Sequence, residues 1–376
     1  MIKITIIGWY GTETIGDRAI LAGLINLFPD VYEHFDIKLG SLYPTLSHRT
    51  VVEDYSFYTV MAKRHIFISI FDSTDVAELN SAIKWADMLV MGGGPLMDIE
   101  PMFMIEYAFK YAKKNRVKTA LLGCGMGALI QERFMKSAMS IISNSDLTIF
   151  RDSKSLARYH ELLKKEPSGC MASIDPAVFA ADVFRKLYNS ENSDKFAAIN
   201  FRESDGLYNL GMSTEQIFVL FSELLEKTAR NHDYELLLVP MHTFRIGGDD
   251  RYFLNQLAGK VNLPNVHVQN TPLSLVETMK IYYDAVFCIG MRFHSVLLQT
   301  AVNGKNYILD YTDINNGKII NLLHQLQACD FYKSRYYSLV HPDGDMFVPQ
   351  ENIPAYSIDD TAISDFRKIY IEHLKI

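Results

Sequence analysis

A chain of 376 residues, 48% hydrophobic and 22% charged, is neither disordered nor fibrous in composition and is longer than one hydrophobic core usually supports, so two domains are expected. With 37 basic against 44 acidic residues, a net charge of −7, a broad nucleic-acid surface is disfavoured, while a local basic pocket for a small anion stays open. No run of about 18 apolar residues offers a spanning helix. Met1–Gly8 is too short for a secretory leader, and Cys124, Cys170, Cys288 and Cys329 form no Cys-x-x-Cys pair, so the expected setting is the cytoplasm, with reduced thiols.

In chain order, short apolar strands alternate with amphipathic helices, the pattern of an α/β protein with parallel sheets. Ile2–Gly8 predicts a first strand running into glycine, followed by a helix over Asp17–Leu27. Further strands are expected at Met88–Met91, Thr119–Gly123, Leu147–Phe150 and Met171–Ile174. The polar stretch between Leu187 and Lys195 is the linker candidate. Strand–helix alternation then restarts with Phe196–Phe201 and a helix over Ser213–Arg230. Ser213 and Gln216 have capping-box spacing, and Ile217, Leu220, Phe221, Leu224 and Leu225 recur as one apolar face. Strands at Glu235–Val239, Ala285–Ile289 and Tyr307–Asp310 follow. Ser357–Ile376 closes the chain as a helix with Ile363, Phe366, Ile369, Tyr370 and Leu374 on one face. The expected architecture is two Rossmann-like domains facing a cleft, over residues 1–190 and 191–356, with the helix 357–376 packing back on the first.

Ligands of such sheets sit beyond the carboxyl ends of strands, so the loops there carry the argument. The first, from Gly8 to Asp17, fits neither the dinucleotide fingerprint nor the phosphate loop. Its Asp17 reads equally as a first-turn acid. Gly92-Gly93-Gly94, leading to Asp98, and the glycines at 123, 125 and 127 read as backbone approached closely by a ligand or a neighbouring loop. In the second half, strands run into Arg202, into Pro240-Met241-His242 with Arg245 nearby, and into Gly290-Met291-Arg292-Phe293-His294-Ser295. Two arginines and two histidines beside helix N-termini make a pocket for a small anion, because guanidinium forks match carboxylate and phosphate bidentately. His242 reads as evenly structural or functional. No His-x-x-x-His or acidic cluster suggests a metal, and Ser295 has no nucleophile-elbow context.

Taken together, the Gly92–Gly94 loop, Gly-x-Gly-x-Gly at 123–127, Arg151-Asp152-x-x-Ser155, Asp175-Pro176, Pro240-Met241-His242 and Gly-Met-Arg-x-His-Ser resemble the polysaccharide pyruvyl transferase family over nearly the whole chain. Thr14 stands where that family commonly has asparagine, and Ala128 where proline often follows. The resemblance implies a fold similar to B-type glycosyltransferases, phosphoenolpyruvate as donor and a sugar acceptor of a polysaccharide precursor that receives pyruvate as a ketal. It implies a donor site at Arg202, His242, Arg292, His294 and Ser295, with His294, Arg292 and Arg202 catalytic. The acceptor side falls to Trp9, Gly16, Asp17, Gly93, Gly94 and Asp98. No metal or cofactor is needed beyond phosphoenolpyruvate as co-substrate, and no nucleic acid is involved. The acceptor is free or lipid-linked, the latter implying peripheral contact with the inner face of a membrane. Two other readings share these residues: a nucleotide-sugar glycosyltransferase, with Asp310 as ribose ligand, and a non-catalytic sugar- or anion-binding partner in polymer assembly.

Overall fold

A computed structural model describes residues 1–127, 129–163, 169–190, 195–203, 207, 211–230, 234–244, 248–312, 317–341, 346–350 and 352–375. Arg245, Ala128 and the middle of the expected linker lie outside the described residues. The chain divides into two units: residues 1–13, 17–180 and 360–376 in one, residues 14–16 and 181–359 in the other. The division falls inside the helix Ala177–Leu187, upstream of the polar stretch.

The first unit is built on strands β1 (Ile2–Ile7), β2 (Phe35–Ser41), β3 (Ile68–Asp72), β4 (Met88–Gly92), β5 (Pro95–Leu96), β6 (Lys118–Met126), β7 (Leu147–Phe150) and β8 (Cys170–Ala172). They form one parallel sheet in the order β3-β2-β1-β4-β6-β7-β8, with β5 paired to β6. Ile4, Ile6 and Ile7 of β1 and all five residues of β4 are buried, as strands covered by helices on both faces should be. Ile7, Leu89, Met91, Leu121 and Phe150 meet the helices Met102–Lys114 and Glu132–Ser143 in a core of this unit. The closing helix, Asp360–His373, belongs to the same unit, as its apolar stripe implies. Tyr370 is fully buried and donates to the Ile174 carbonyl at 2.7 Å. Arg367 donates through Nη2 to the Asn26 carbonyl at 2.7 Å and through Nε to Asp30 at 2.7 Å.

The second unit has strands β9 (Phe196–Ile199), β10 (Glu235–Leu238), β11 (Val266–Val268), β12 (Cys288–Gly290), β13 (Asn306–Asp310) and β14 (Tyr336–Ser338). All pair in parallel, in the order β11-β10-β9-β12-β13-β14. That is the doubly wound arrangement, whose direction of winding reverses between β9 and β12; ligands of such sheets bind outside the carboxyl ends at that reversal. The helix Thr214–Arg230 covers this sheet with Ile217, Phe221, Leu224 and Leu225 buried. Its capping box is formed: Gln216 N–H donates to Ser213 Oγ at 3.2 Å and Ser213 N–H to Gln216 Oε1 at 2.8 Å. The helix Phe293–Val302 is buried at every position but His294, so it runs through the unit's interior, with Ser295, Gln299 and Thr300 buried among its apolar residues.

Cys124 and Cys288 are buried, Cys170 and Cys329 partly so, and all four are free thiols. Burial pushes the Cys124 pKa up to about 12, which marks it as a packing residue rather than a nucleophile. Among the described residues no helix is long and apolar enough to cross a membrane.

Candidate active site

The second sheet delivers its chemistry at the reversal. Asn200, one residue past β9, extends the sheet by donating its backbone N–H to Ile289 O at 2.8 Å. Its side chain ties the neighbouring loops, with Nδ2 donating to Val239 O at 2.9 Å and Oδ1 accepting from Arg292 N–H at 3.1 Å. A fully buried asparagine is thereby satisfied on both ends, and the backbone where Arg292 leaves β12 is fixed.

Arg292 occupies the N-cap of the helix Phe293–Val302. A cation there opposes the helix dipole, and at 9% exposure it needs a counter-charge. Asp250 supplies one: Arg292 Nε donates to Oδ2 at 2.9 Å and Nη2 to Oδ1 at 2.5 Å. Asp250 Oδ2 also accepts the backbone N–H groups of Met241 and His242, at 3.0 and 3.1 Å. Burial works to raise the Asp250 pKa, but the Arg292 charge and these hydrogen bonds hold the carboxyl below its usual value. The remaining Arg292 nitrogen, Nη1, lies 3.3 Å from His242 Nε2. A guanidinium only donates, so a hydrogen bond between them needs Nε2 as the acceptor.

Arg292 is thus an anchored cation with one edge engaged, rather than the freely gripping fork the sequence suggested. Arg202 differs: it is half-buried, its Nε donates to Glu203 O at 2.9 Å, and its guanidinium stands 5.6 Å from the ring centre of Tyr311.

His294 sits in the first helical turn beyond Arg292, packed edge-on to Phe293 with ring centres 5.0 Å apart. Residues 14–16 belong to this unit, and Ile15 N–H donates to Met241 O at 3.0 Å. A Cβ on Gly16 would lie 2.1 Å from His294 Nδ1, so glycine is required at 16 for the imidazole to keep its place. Ser295, expected in donor binding, is engaged within the protein. It is fully buried, and its hydroxyl donates to Arg292 O at 2.7 Å, which ties the first turn of the helix together.

The expected acceptor residues of the first unit also need revision. Trp9 is 6% exposed, packs in the core and donates through Nε1 to Pro95 O at 3.2 Å; it is no stacking platform. Gly93 and Gly94 have φ of 74° and 71°, in the left-handed region that favours glycine. Ideal Cβ atoms there would come 2.2 Å from Ile20 and 2.3 Å from Trp9. The glycine run therefore answers to neighbouring side chains. Asp98 Oδ2 accepts the N–H groups of Ile130 and Gln131 at 3.0 and 2.9 Å, pinning that loop. Asp17, half-buried in the first turn of its helix, has Thr12 Oγ1 at 3.5 Å. Arg151 pairs with buried Asp175 at 3.4 Å, and Ser155 Oγ accepts Met126 N–H at 2.9 Å; these motif residues knit the first unit together.

Four residues escaped the sequence reading: Asn200, Asp250, Tyr311 and Lys318. Tyr311 follows β13 directly, and Lys318, first residue of the helix Lys318–Gln325, brings its ammonium 5.6 Å from the Tyr311 ring centre. Asp249-Asp250 before an apolar helix was a usable N-terminal signal; the pairing of Asp250 with Arg292 was not. Asp310 is fully buried. Its Oδ1 accepts Thr312 N–H and Oγ1 at 2.8 and 2.5 Å, and its Oδ2 the Tyr336 hydroxyl at 2.9 Å. Among the described residues, no group of three or more His, Cys, Asp or Glu stands together as metal ligands would.

Solved structures resemble this arrangement. One is UDP-GlcNAc 2-epimerase from Neisseria meningitidis bound to UDP-GlcNAc: TM-score 0.52 and 12% identity, over 100% of this chain and 99% of that one. Another is the Methanocaldococcus jannaschii UDP-GlcNAc 2-epimerase in complex with UDP-GlcNAc and UDP, with TM-score 0.55 and 9% identity over 99% of each chain. An α-glucosyltransferase in complex with UDP reaches TM-score 0.50 at 9% identity, over 100% of this chain and 91% of that one. At such identities the likeness shows the fold alone, and it defines the class: a two-unit α/β protein of the B-type glycosyltransferase fold. The sequence profile of the polysaccharide pyruvyl transferase family matches residues 15–312. The chain belongs to that family, a family of transferases. No curated protein matches it.

Proposed function

We propose that the protein transfers the pyruvyl group of phosphoenolpyruvate to two hydroxyls of a sugar in a polysaccharide precursor, forming a ketal. The observation that carries this reading is the gathering of Arg202, Arg292, His242, His294 and Lys318 around the carboxyl ends of the second sheet, in a protein whose net charge is −7. A small trianion is the ligand such a cluster suits. Arg202 engages the donor, and Arg292, held in place by Asp250, adds fixed positive charge at a helix N-terminus.

The reaction needs a proton at the methylene carbon, attack of one hydroxyl at the adjacent carbon, departure of phosphate and closure by the second hydroxyl. Atoms and charge balance when one hydroxyl proton ends on the new methyl and the other on hydrogen phosphate. His294 serves the phosphate side, where an imidazole nitrogen can pass a proton to the departing oxygen. The nucleotide-sugar alternative loses its ribose ligand, because both Asp310 oxygens are engaged within the protein.

The test is phosphate release from phosphoenolpyruvate with a panel of sugar acceptors, wild type beside His294→Ala. Acceptor-dependent release, reduced by about 10²–10⁴-fold in the variant, is expected. Equal release by both proteins would remove His294 from the mechanism. Binding of a nucleotide sugar without binding of phosphoenolpyruvate would overturn the donor assignment.

A further inference from the structure

The mechanism above leaves the proton of the methylene carbon unassigned. Resting on that reading of the reaction, we propose that Tyr311 carries this proton: its hydroxyl protonates the methylene carbon of the donor, and the phenolate left behind recovers a proton from the attacking sugar hydroxyl. The C–H bond forms as the O–H bond of Tyr311 breaks. The sugar O–H bond then breaks as its oxygen bonds to the adjacent carbon, and the tyrosine returns to its starting state. The second hydroxyl's proton departs with phosphate, so no external acid, base or oxidant is consumed.

The placement supports this in three ways. Tyr311 stands immediately beyond β13, next in the sheet to β12, whose end carries Arg292 and His294. Its half-buried ring has the Arg202 guanidinium and the Lys318 ammonium each 5.6 Å from its centre. These cations reach it from separate elements, Arg202 from the end of β9 and Lys318 from the helix Lys318–Gln325, with Arg292 contributing from the end of β12. A phenol with two cations beside its ring is favoured as phenolate between steps. Burial works to raise the pKa, yet the charges of Lys318, Arg202 and Arg292 and a hydrogen bond with Lys318 bring it down to about 8. Such a phenol is mostly protonated at neutral pH and gives up its proton far more readily than an ordinary tyrosine.

The experiment has two arms. An ultraviolet titration of phenolate, wild type against Tyr311→Phe, should show one tyrosine ionising near pH 8 that the variant lacks. In the transfer assay, Tyr311→Phe should lower kcat by about 10²–10⁴-fold while phosphoenolpyruvate binds as before. The alkaline limb of the wild-type pH profile should also move to higher pH in Lys318→Met, which removes one stabilising cation. Wild-type transfer with kcat preserved in Tyr311→Phe, or an alkaline limb unmoved in Lys318→Met, overturns the proton role alone. Absence of any transfer by the wild type removes the reaction and the proton role with it.

Discussion

At the scale of single residues, the ion pair between Arg292 and Asp250 decides what the site can be. Both groups are buried, so removing one leaves the other as an uncompensated charge, a loss of about 3–5 kcal/mol. Asp250→Ala is therefore expected to lower the unfolding free energy in urea by that amount, far more than deletion of an exposed pair such as Lys136 with Glu132. The sign with pH follows from the depressed Asp250 pKa: its contribution is present above the carboxyl's unfolded value and is lost as pH falls through the folded one. Stability should thus decline on acidification in the wild type, and this component should vanish in Asp250→Ala. Gly16 makes a second prediction. Alanine there drives a methyl into the His294 ring, and a displaced catalytic group costs about 10²-fold, so Gly16→Ala should cut kcat while the melting temperature changes little. Arg202, Arg292 and His294 are singled out by sequence because each stands within four residues of a strand end. Asp250 is not, since its partner lies 42 positions away and only the fold brings them together. Trp9 was open between a sugar platform and a core aromatic, because an aromatic in a glycine loop has the same sequence signature whether it faces a ligand or the core; the structure packs it in the core.

Among the elements, the sequence singled out more strands than helices, and the helix read in most detail was the one ending at Arg230. The Ser213–Gln216 capping box appears as its spacing implied, and Ser213→Ala should cost about 1 kcal/mol, measured as a shift in the denaturant midpoint. The strands β4 and β7, short runs rich in apolar residues, were found within a residue of their limits. The strands missed were of another kind. In β2, Asp36 and Lys38 interrupt the apolar run and take half-buried positions. The edge strand β3 is half-buried throughout, while β11 and β14 are three residues each. Short and edge strands owe their pairing to the neighbour already in place, so local pattern carries little of the signal. The glycines at 93 and 94 were recognised as close approaches, but sequence does not say to what; Ile20 and Trp9 answer that.

For the molecule as a whole, each unit has its own sheet and its own hydrophobic core. The last helix of the chain completes the first unit through Tyr370, Arg367 and Leu374. Tyr370→Ala should destabilise that unit by about 3–5 kcal/mol, with hydrogen-exchange protection falling in β7 and β8 and persisting in β9 and β12. The acidic balance of the chain and the cationic residues at the carboxyl ends of the second sheet agree with the proposed function, which asks for positive charge concentrated at one place for a small anion. The most direct measurement of that function follows the donor's own carbon. With phosphoenolpyruvate isotopically labelled at the methylene position and a panel of free and lipid-linked sugars, the label is expected to appear by NMR as the methyl of a sugar ketal, with phosphate released in equal amount. Label that stays in phosphoenolpyruvate with every acceptor, while a nucleotide sugar is turned over by the same protein, would contradict it.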